Sequence, residues 1–355
     1  MHSNRIWRIA TLLVVAVMVL AACGGGAPAP AATEAPAATE APAATEAPAV
    51  TEAPVADFRV AFVFPGPVND GGFNTEGYLG LERLQERFGL ETAYTELVDV
   101  PDCARVAAAY AEEGYDFVWL HSGGYVSCAL EVAPQYPEVS FGTYTTGDLP
   151  DAPANLWRND ARDHELYYVA GAAATLMTET NTIGFIGGID FPSYVAAVNG
   201  YEAAAQDFGT DTRVLSVFTG DFNDTVKGRE AAAAQIEAGA DVIVSAADVA
   251  IFGIIEAARE AGDVWVIGFP RDQCEAAPDT ILLSLTLDIP ADIEYFVTES
   301  MAGTLGGHVV QTISTSETVS IAYCGDNLPP DVQARINQLI EDIKSGDVVV
   351  PEIYE

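Results

Sequence analysis

"FRVAFVFPGPVNDGGFNTEGYLGLERLQERFG", residues 58–89, decides how the rest of the chain is read. "FRVAFVF" is a short apolar run rich in β-formers and reads as a strand. "EGYLGLERLQERFG" has the 3.6-residue apolar period of a helix and stops on Gly89. Between them lies "VNDGGFN", residues 68–74, a tight Asp-Gly-Gly turn followed at once by an aromatic ring and a carboxamide, Phe73 and Asn74. Glycines there allow close backbone approach, and the order suits a ligand held at the carboxyl end of a strand.

The same alternation continues outward. "LETAYTEL" reads as a strand, "PDCARVAAAYAEEG" as a helix and "YDFVWLH" as a strand. A second block follows with "ELYYVAGAAATLMTE", "TIGFIGG", "YVAAVNGYEAAAQDFG", "TRVLSVFTG", "TVKGREAAAAQIEAG", "DVIVSAA", "IFGIIEAAREAG" and "VWVIGF". Strands alternating with amphipathic helices imply parallel sheets with crossover helices, so the fold class is α/β with two doubly wound lobes. "DTILLSLTLDI" and "ADIEYFVTESMAGTLGG" read as a return strand and helix on the first lobe. "VSIAYC" and "PPDVQARINQLIEDIKSG" return to the second. The expected division is 57–155 with 282–316 for lobe 1, and 156–281 with 317–355 for lobe 2. Ligands of such sheets bind beyond the strand carboxyl ends. That makes "PGPVNDGGFN", "HSGGYVS" (with His121, Ser122 and Gly123), "TYTTGD" (with Asp148), "IDFPSY", "TGDFND", "AADVA" (with Asp248) and "PRDQC" (with Arg271 and Asp272) the candidate cleft lining.

Upstream, "MHSNRIWR" precedes the apolar run "IATLLVVAVMVL" and "LAAC". A basic start, a short apolar stretch and small residues form a secretory signal over residues 1–22. Leu20-Ala21-Ala22-Cys23 resembles a bacterial lipobox, in which Cys23 is lipidated. Residues 23–56 carry four tandem six-residue Thr/Glu/Ala/Pro units with no large apolar side chain. They read as a disordered stalk, since nothing in them buries enough surface to offset ordering entropy. The protein is therefore expected outside the cytoplasm, held to the cell membrane through Cys23 alone. The formal net charge of −37 makes nucleic acid and anionic headgroups poor partners. The acidity reads as a solubilising surface in preference to a site for a cation.

Four cysteines follow Cys23: Cys103, Cys128, Cys274 and Cys324. In an exported chain they invite disulfides, with three connectivities open and free thiols as the alternative. The element order favours Cys103 with Cys128 and Cys274 with Cys324. No CxxC spacing suggests redox chemistry, and no cofactor or metal is expected.

Five stretches carry a resemblance to a known family. They are "VNDGGFN", with D-x-x-F-N at 70–74, "YYVAGAAATLMTETNTIGFIGG" (167–188), "FTGDFNDTVKGREAAAAQIEAGADVI" (218–243), "IIEAAREAG" (254–262) and "RDQC" (271–274). In this order and spacing the chain resembles the basic membrane protein family of substrate-binding lipoproteins for ABC importers, whose best understood members are purine nucleoside receptors. The resemblance implies a type I periplasmic-binding fold with three crossings between lobes, hinge closure on a small molecule, and permease and ATPase subunits as partners of a monomer. It also implies that Asp70 and Asn74 hydrogen-bond the ligand, that Phe73 lies against its base, and that Phe222 stacks from the second lobe with Asp224 nearby. Core packing is the alternative for both rings. Where nucleoside receptors carry an acid before "DQ" and a lysine after the later strand, this chain has Pro270 and Leu287. Thr145 stands where an aspartate is usual, with Asp148 close by. These departures weaken the case for an intact nucleoside, so the expected ligand is of the nucleoside or nucleobase class, with a free base, another small polar heterocycle, or a sugar held by Arg271, Asp272 or Asp248 as the alternatives.

Two other functions compete. An enzyme lacks support, because neither G-x-S-x-G nor H-E-x-x-H occurs and "GFIGG" has too few correctly spaced glycines for a dinucleotide. A sensor subunit that hands its ligand-bound form to a membrane receptor has the same sequence signature as an importer subunit.

Overall fold

The computed structural model describes residues 57–355, so the signal, Cys23 and the stalk lie outside the described residues. Two six-stranded sheets organise the chain. The first contains β1 (Arg59–Val63), β2 (Glu91–Thr95), β3 (Phe117–Leu120), β4 (Ser140–Thr145), β5 (Leu156–Ala161) and β11 (Gly307–Gln311), in the order β11-β5-β4-β3-β1-β2. All its pairings are parallel. The second contains β6 (Thr182–Gly187), β7 (Arg213–Phe218), β8 (Val242–Ala246), β9 (Trp265–Gly268), β10 (Ile281–Leu287) and β12 (Val319–Tyr323), in the order β12-β10-β9-β8-β6-β7. Only β12 runs antiparallel there, against β10.

Central strands such as β3 and β8 are buried along their whole length, whereas the edge strands β2 and β7 are half-exposed. That difference follows from helices covering both faces of each sheet, which demands continuous apolar runs at the centre. In lobe 1 one face is filled by Val63, Val118, Leu120, Tyr125 and Phe141, the other by Phe62, Trp119, Trp157, Ile293 and Phe296. Lobe 2 repeats the plan, with Tyr167, Phe185, Tyr201 and Leu283 on one face and Ile243, Ile254 and Val266 on the other.

The division between lobes differs from the sequence expectation at two strands. β5 lies in the first sheet, with Phe141 opposite Leu156 and Thr145 opposite Asp160, so the first crossing comes after Ala161 and not at 155. β10 lies in the second sheet, between β9 and β12, and the chain regains lobe 1 only with α8 (Ile289–Met301), which packs on α1 (Phe73–Phe88). An apolar run marks a strand but not the sheet it joins, because sheet membership is set by distant partners. The third crossing is the segment joining β11 to β12.

Cys103 is bonded to Cys128 and Cys274 to Cys324, with Cα–Cα separations of 5.9 and 5.1 Å. No helix among the described residues is long and apolar enough to cross a membrane.

Candidate functional site

The loop after β1 is ordered by one carboxylate. Asp70 Oδ1 accepts from the backbone N–H groups of Gly72 (2.8 Å) and Thr75 (3.0 Å) and from the Thr75 hydroxyl (2.9 Å). Its Oδ2 accepts from Asn74 Nδ2 (2.7 Å) and Asn74 N (3.2 Å). Asp70 thus satisfies the orphan donors of the first turn of α1, the work of an N-terminal cap. It thereby shapes its own loop. The carboxamide oxygen of buried Asn74 has no protein partner.

Phe73 begins α1 and lies on the imidazole of His121, centroids 4.1 Å apart and nearly parallel, with Tyr144 at 5.2 Å. His121 is fully buried. Trp119 Nε1–H can only donate, so His121 Nδ1 accepts from it at 2.9 Å, and Nε2 then donates to the Phe73 carbonyl at 2.9 Å. Burial lowers the His121 pKa to about 4, which keeps the ring neutral. His121 is therefore a fixed backing for Phe73 and not a ligand contact, a correction to the sequence reading. Ser122 accepts from Gly124 N (3.0 Å), and Gly123 is exposed beside it.

Lobe 2 presents its own aromatic group. Phe222 lies 5.8 Å from Phe191 and 5.7 Å from Tyr194, and Tyr194 meets Phe269 at 6.3 Å. Three further sequence candidates have partners within their own loops or face solvent. Asp224 caps α6 (Thr225–Glu237) through Val226 N and Lys227 N, at 3.0 and 3.1 Å. Asp272 is exposed and accepts from Cys274 N. The Asp148 side chain is 90% exposed and faces Arg162 at 4.0 Å. In each case a short acidic side chain at a strand exit serves the turn or the solvent, the commonest use of such residues.

The lobes touch through Asp248 and Arg271. Asp248 Oδ1 accepts from Phe73 N at 2.9 Å across the cleft. A side chain on Gly72 would place its Cβ 2.0 Å from that oxygen, so the approach requires glycine. Asp248 holds φ at +41°, a costly conformation for a residue with a side chain. Burial, helped by nearby Asp70 and opposed by the Phe73 N–H, pushes its carboxyl up to about 7. Arg271 donates to Gly71 O (3.2 Å) and pairs with Glu76 at 3.4 Å. Burial raises the Glu76 pKa, with Arg271 opposing. Leu287, partly buried against the cores of both lobes, donates its N–H to Pro270 O at 2.9 Å.

Sequence reasoning did not single out Glu76, Tyr144, Asp163 and Tyr194. Tyr144 is 8% exposed with an unpartnered hydroxyl, and its pKa is raised first by burial, then by the Asp292 carboxyl, and after it by Tyr194 and Glu76. Asp163 sits buried at the first crossing, where burial lifts its carboxyl to about 6 against the Ser193 hydroxyl. The two tyrosines lie in "TYTTGD" and "IDFPSY", so an aromatic search of the strand exits finds them. Asp163 carries no local signal.

Two α/β lobes, crossed three times by the chain and facing each other with aromatic and polar strand exits, define the periplasmic-binding class. Solved structures agree on that fold. An ABC transporter solute-binding protein from Aeropyrum pernix superposes with a TM-score of 0.75 at 20% identity, covering 84% of this chain and 95% of that one. One from Conexibacter woesei gives 0.68 at 27% identity, covering 84% and 100%. Among sequence relatives, basic membrane protein A1 of Borrelia garinii is 27% identical over 305 residues, covering 84% of this chain and 90% of its own. A purine-binding protein of Brucella abortus is 28% identical over 295 residues, covering 82% of each. The family model of PnrA-like ABC transporter substrate-binding proteins matches residues 58–353, and the chain belongs to that family. Substrate-binding proteins of ABC transporters work outside the cytoplasm, where they take up small molecules and meet a permease.

Proposed function

We propose that this protein captures a flat, polar heterocycle of the nucleoside or nucleobase class between its lobes and delivers it to the permease and ATPase of an importer, tethered by lipidated Cys23. The observation that carries the reading is the pair of aromatic platforms at facing strand exits. Phe73 is backed by His121 in lobe 1, and Phe222 is set among Phe191 and Tyr194 in lobe 2. Aromatic faces take a base by stacking, and nearby polar groups select its edges. The name of the Brucella abortus relative adds weight to the purine class.

The sugar side is the departure. Pro270 and Leu287 stand where the resemblance places an acid and a lysine, and Arg271 is engaged by Glu76 and Gly71 O. Ribose hydroxyls buried there lose hydration without charge-assisted partners, each worth about 1.5–3 kcal/mol. The ligand accordingly lacks an unmodified ribose or has it held by another set of groups. Calorimetry of adenosine, guanosine, inosine and their free bases against the intact protein tests this. Free bases should bind at least as tightly as nucleosides, and absence of binding by all six refutes the ligand class. Lipidation is tested separately: Cys23→Ser should move the protein from the membrane to the soluble fraction.

A further inference from the structure

Resting on the reading of the interlobe cleft as the ligand site, we infer that the ligand is cationic: Glu76, Asp163 and Asp248 with the rings of Phe73, Tyr144 and Tyr194 form a cage for a positively charged flat heterocycle.

The charge balance of the facing surfaces points this way. Asp70, Glu76, Asp163 and Asp248 are carboxyl groups at or beside the cleft, and Arg271 meets Glu76 alone among them, at 3.4 Å, with its other bond to Gly71 O. Asp70 is consumed by five hydrogen bonds within its own loop. Asp248 is not: Oδ1 meets Phe73 N, and among the described residues no donor bonds its second oxygen.

A carboxylate cluster alone would be a solvated face. Here a buried polar group without a partner adjoins it, the Tyr144 hydroxyl. Tyr144 touches Phe73, whose N–H meets Asp248, so the unpartnered hydroxyl, the ring and the acid belong to one surface. Tyr194 closes it from lobe 2 beside Phe222.

A neutral ligand enclosed here would leave Asp248 desolvated with no counter-charge, which is costly. A cation supplies the charge, and aromatic faces attract it further. The upward displacement of Asp248, caused first by burial and next by nearby Asp70, accompanies that geometry of a carboxyl with no cation beside it.

Calorimetry on the intact protein with matched pairs tests the inference: N1-methyladenosine against adenosine, N-methylnicotinamide cation against nicotinamide, and spermidine as a cation without a ring. The cationic member of each pair should bind about tenfold tighter or more, the range of one charge-assisted hydrogen bond. Asp248→Asn should shrink that preference to about threefold, with Glu76→Gln as the second variant should the first misfold. Equal or tighter binding of the neutral members overturns the inference and leaves the heterocycle reading standing. Spermidine binding as tightly as the cationic rings supports the charge and refutes the heterocycle. No binding by any of the five refutes both.

Discussion

Replacing Asp248 by Asn removes a charge while keeping the oxygen that accepts from Phe73 N. Raising a carboxyl from 3.8 to about 7 corresponds to about 4 kcal/mol of preference for its neutral form. Because the folded protein binds this proton more tightly than the unfolded chain, the stabilisation is full below the unfolded value. It is lost as pH rises toward about 7. Asn has no such loss. Lobe opening lets the wild-type carboxylate rehydrate, so the recoverable part is about 1–3 kcal/mol. The ligand-free variant should therefore unfold a few degrees above wild type at pH 8.5, with the gap shrinking steadily between pH 7 and pH 4. Asn also tolerates positive φ, which adds an offset independent of pH. Thermal melts of both proteins across this range provide the measurement. A gap of the same size at pH 4 and pH 8.5 would refute the account of Asp248 as a desolvated carboxyl at the lobe contact.

Gly72→Ala should drive its Cβ into Asp248 and hold the lobes apart, lowering ligand affinity about tenfold or more. Small-angle scattering with ligand should then report the open shape, and adding Asp248→Gly should restore closure. Phe73→Ala and Phe222→Ala should each weaken binding by about 1–3 kcal/mol in calorimetry. Phe73→Ala should also lower ligand-free stability by about 1 kcal/mol, since the ring stacks on His121 and meets Tyr144. Converting Cys274 and Cys324 together to Ser opens a 50-residue loop and should cost about 4 kcal/mol in denaturant titration, against about 3.5 kcal/mol for the 25-residue Cys103–Cys128 loop.

The alternation of apolar runs with amphipathic helices determined the α/β class, and the turn "VNDGGFN" located the carboxyl end of the first strand, because both are local patterns of period and turn chemistry. Phe73 stood out locally, as a large ring directly after a tight glycine turn at a strand exit, whereas Phe222 was marked by the family resemblance. How the acidic groups at these exits are used locally was not legible. Asp70, Asp224 and Asp272 look like ligand groups, yet their carboxylates are taken by backbone N–H groups two to five residues along the chain. His121, at the end of a strand, is sealed between Trp119 and Phe73. Only the tertiary structure assigned β5 and β10 to their sheets. It also brought Asp248 against Phe73, 175 positions away, and Arg271 against Gly71, 200 away. Sequence patterning records which side a side chain faces within its own element. Which partner it meets across the cleft, and whether its charge is paired or stranded there, depends on how two separately built lobes come together.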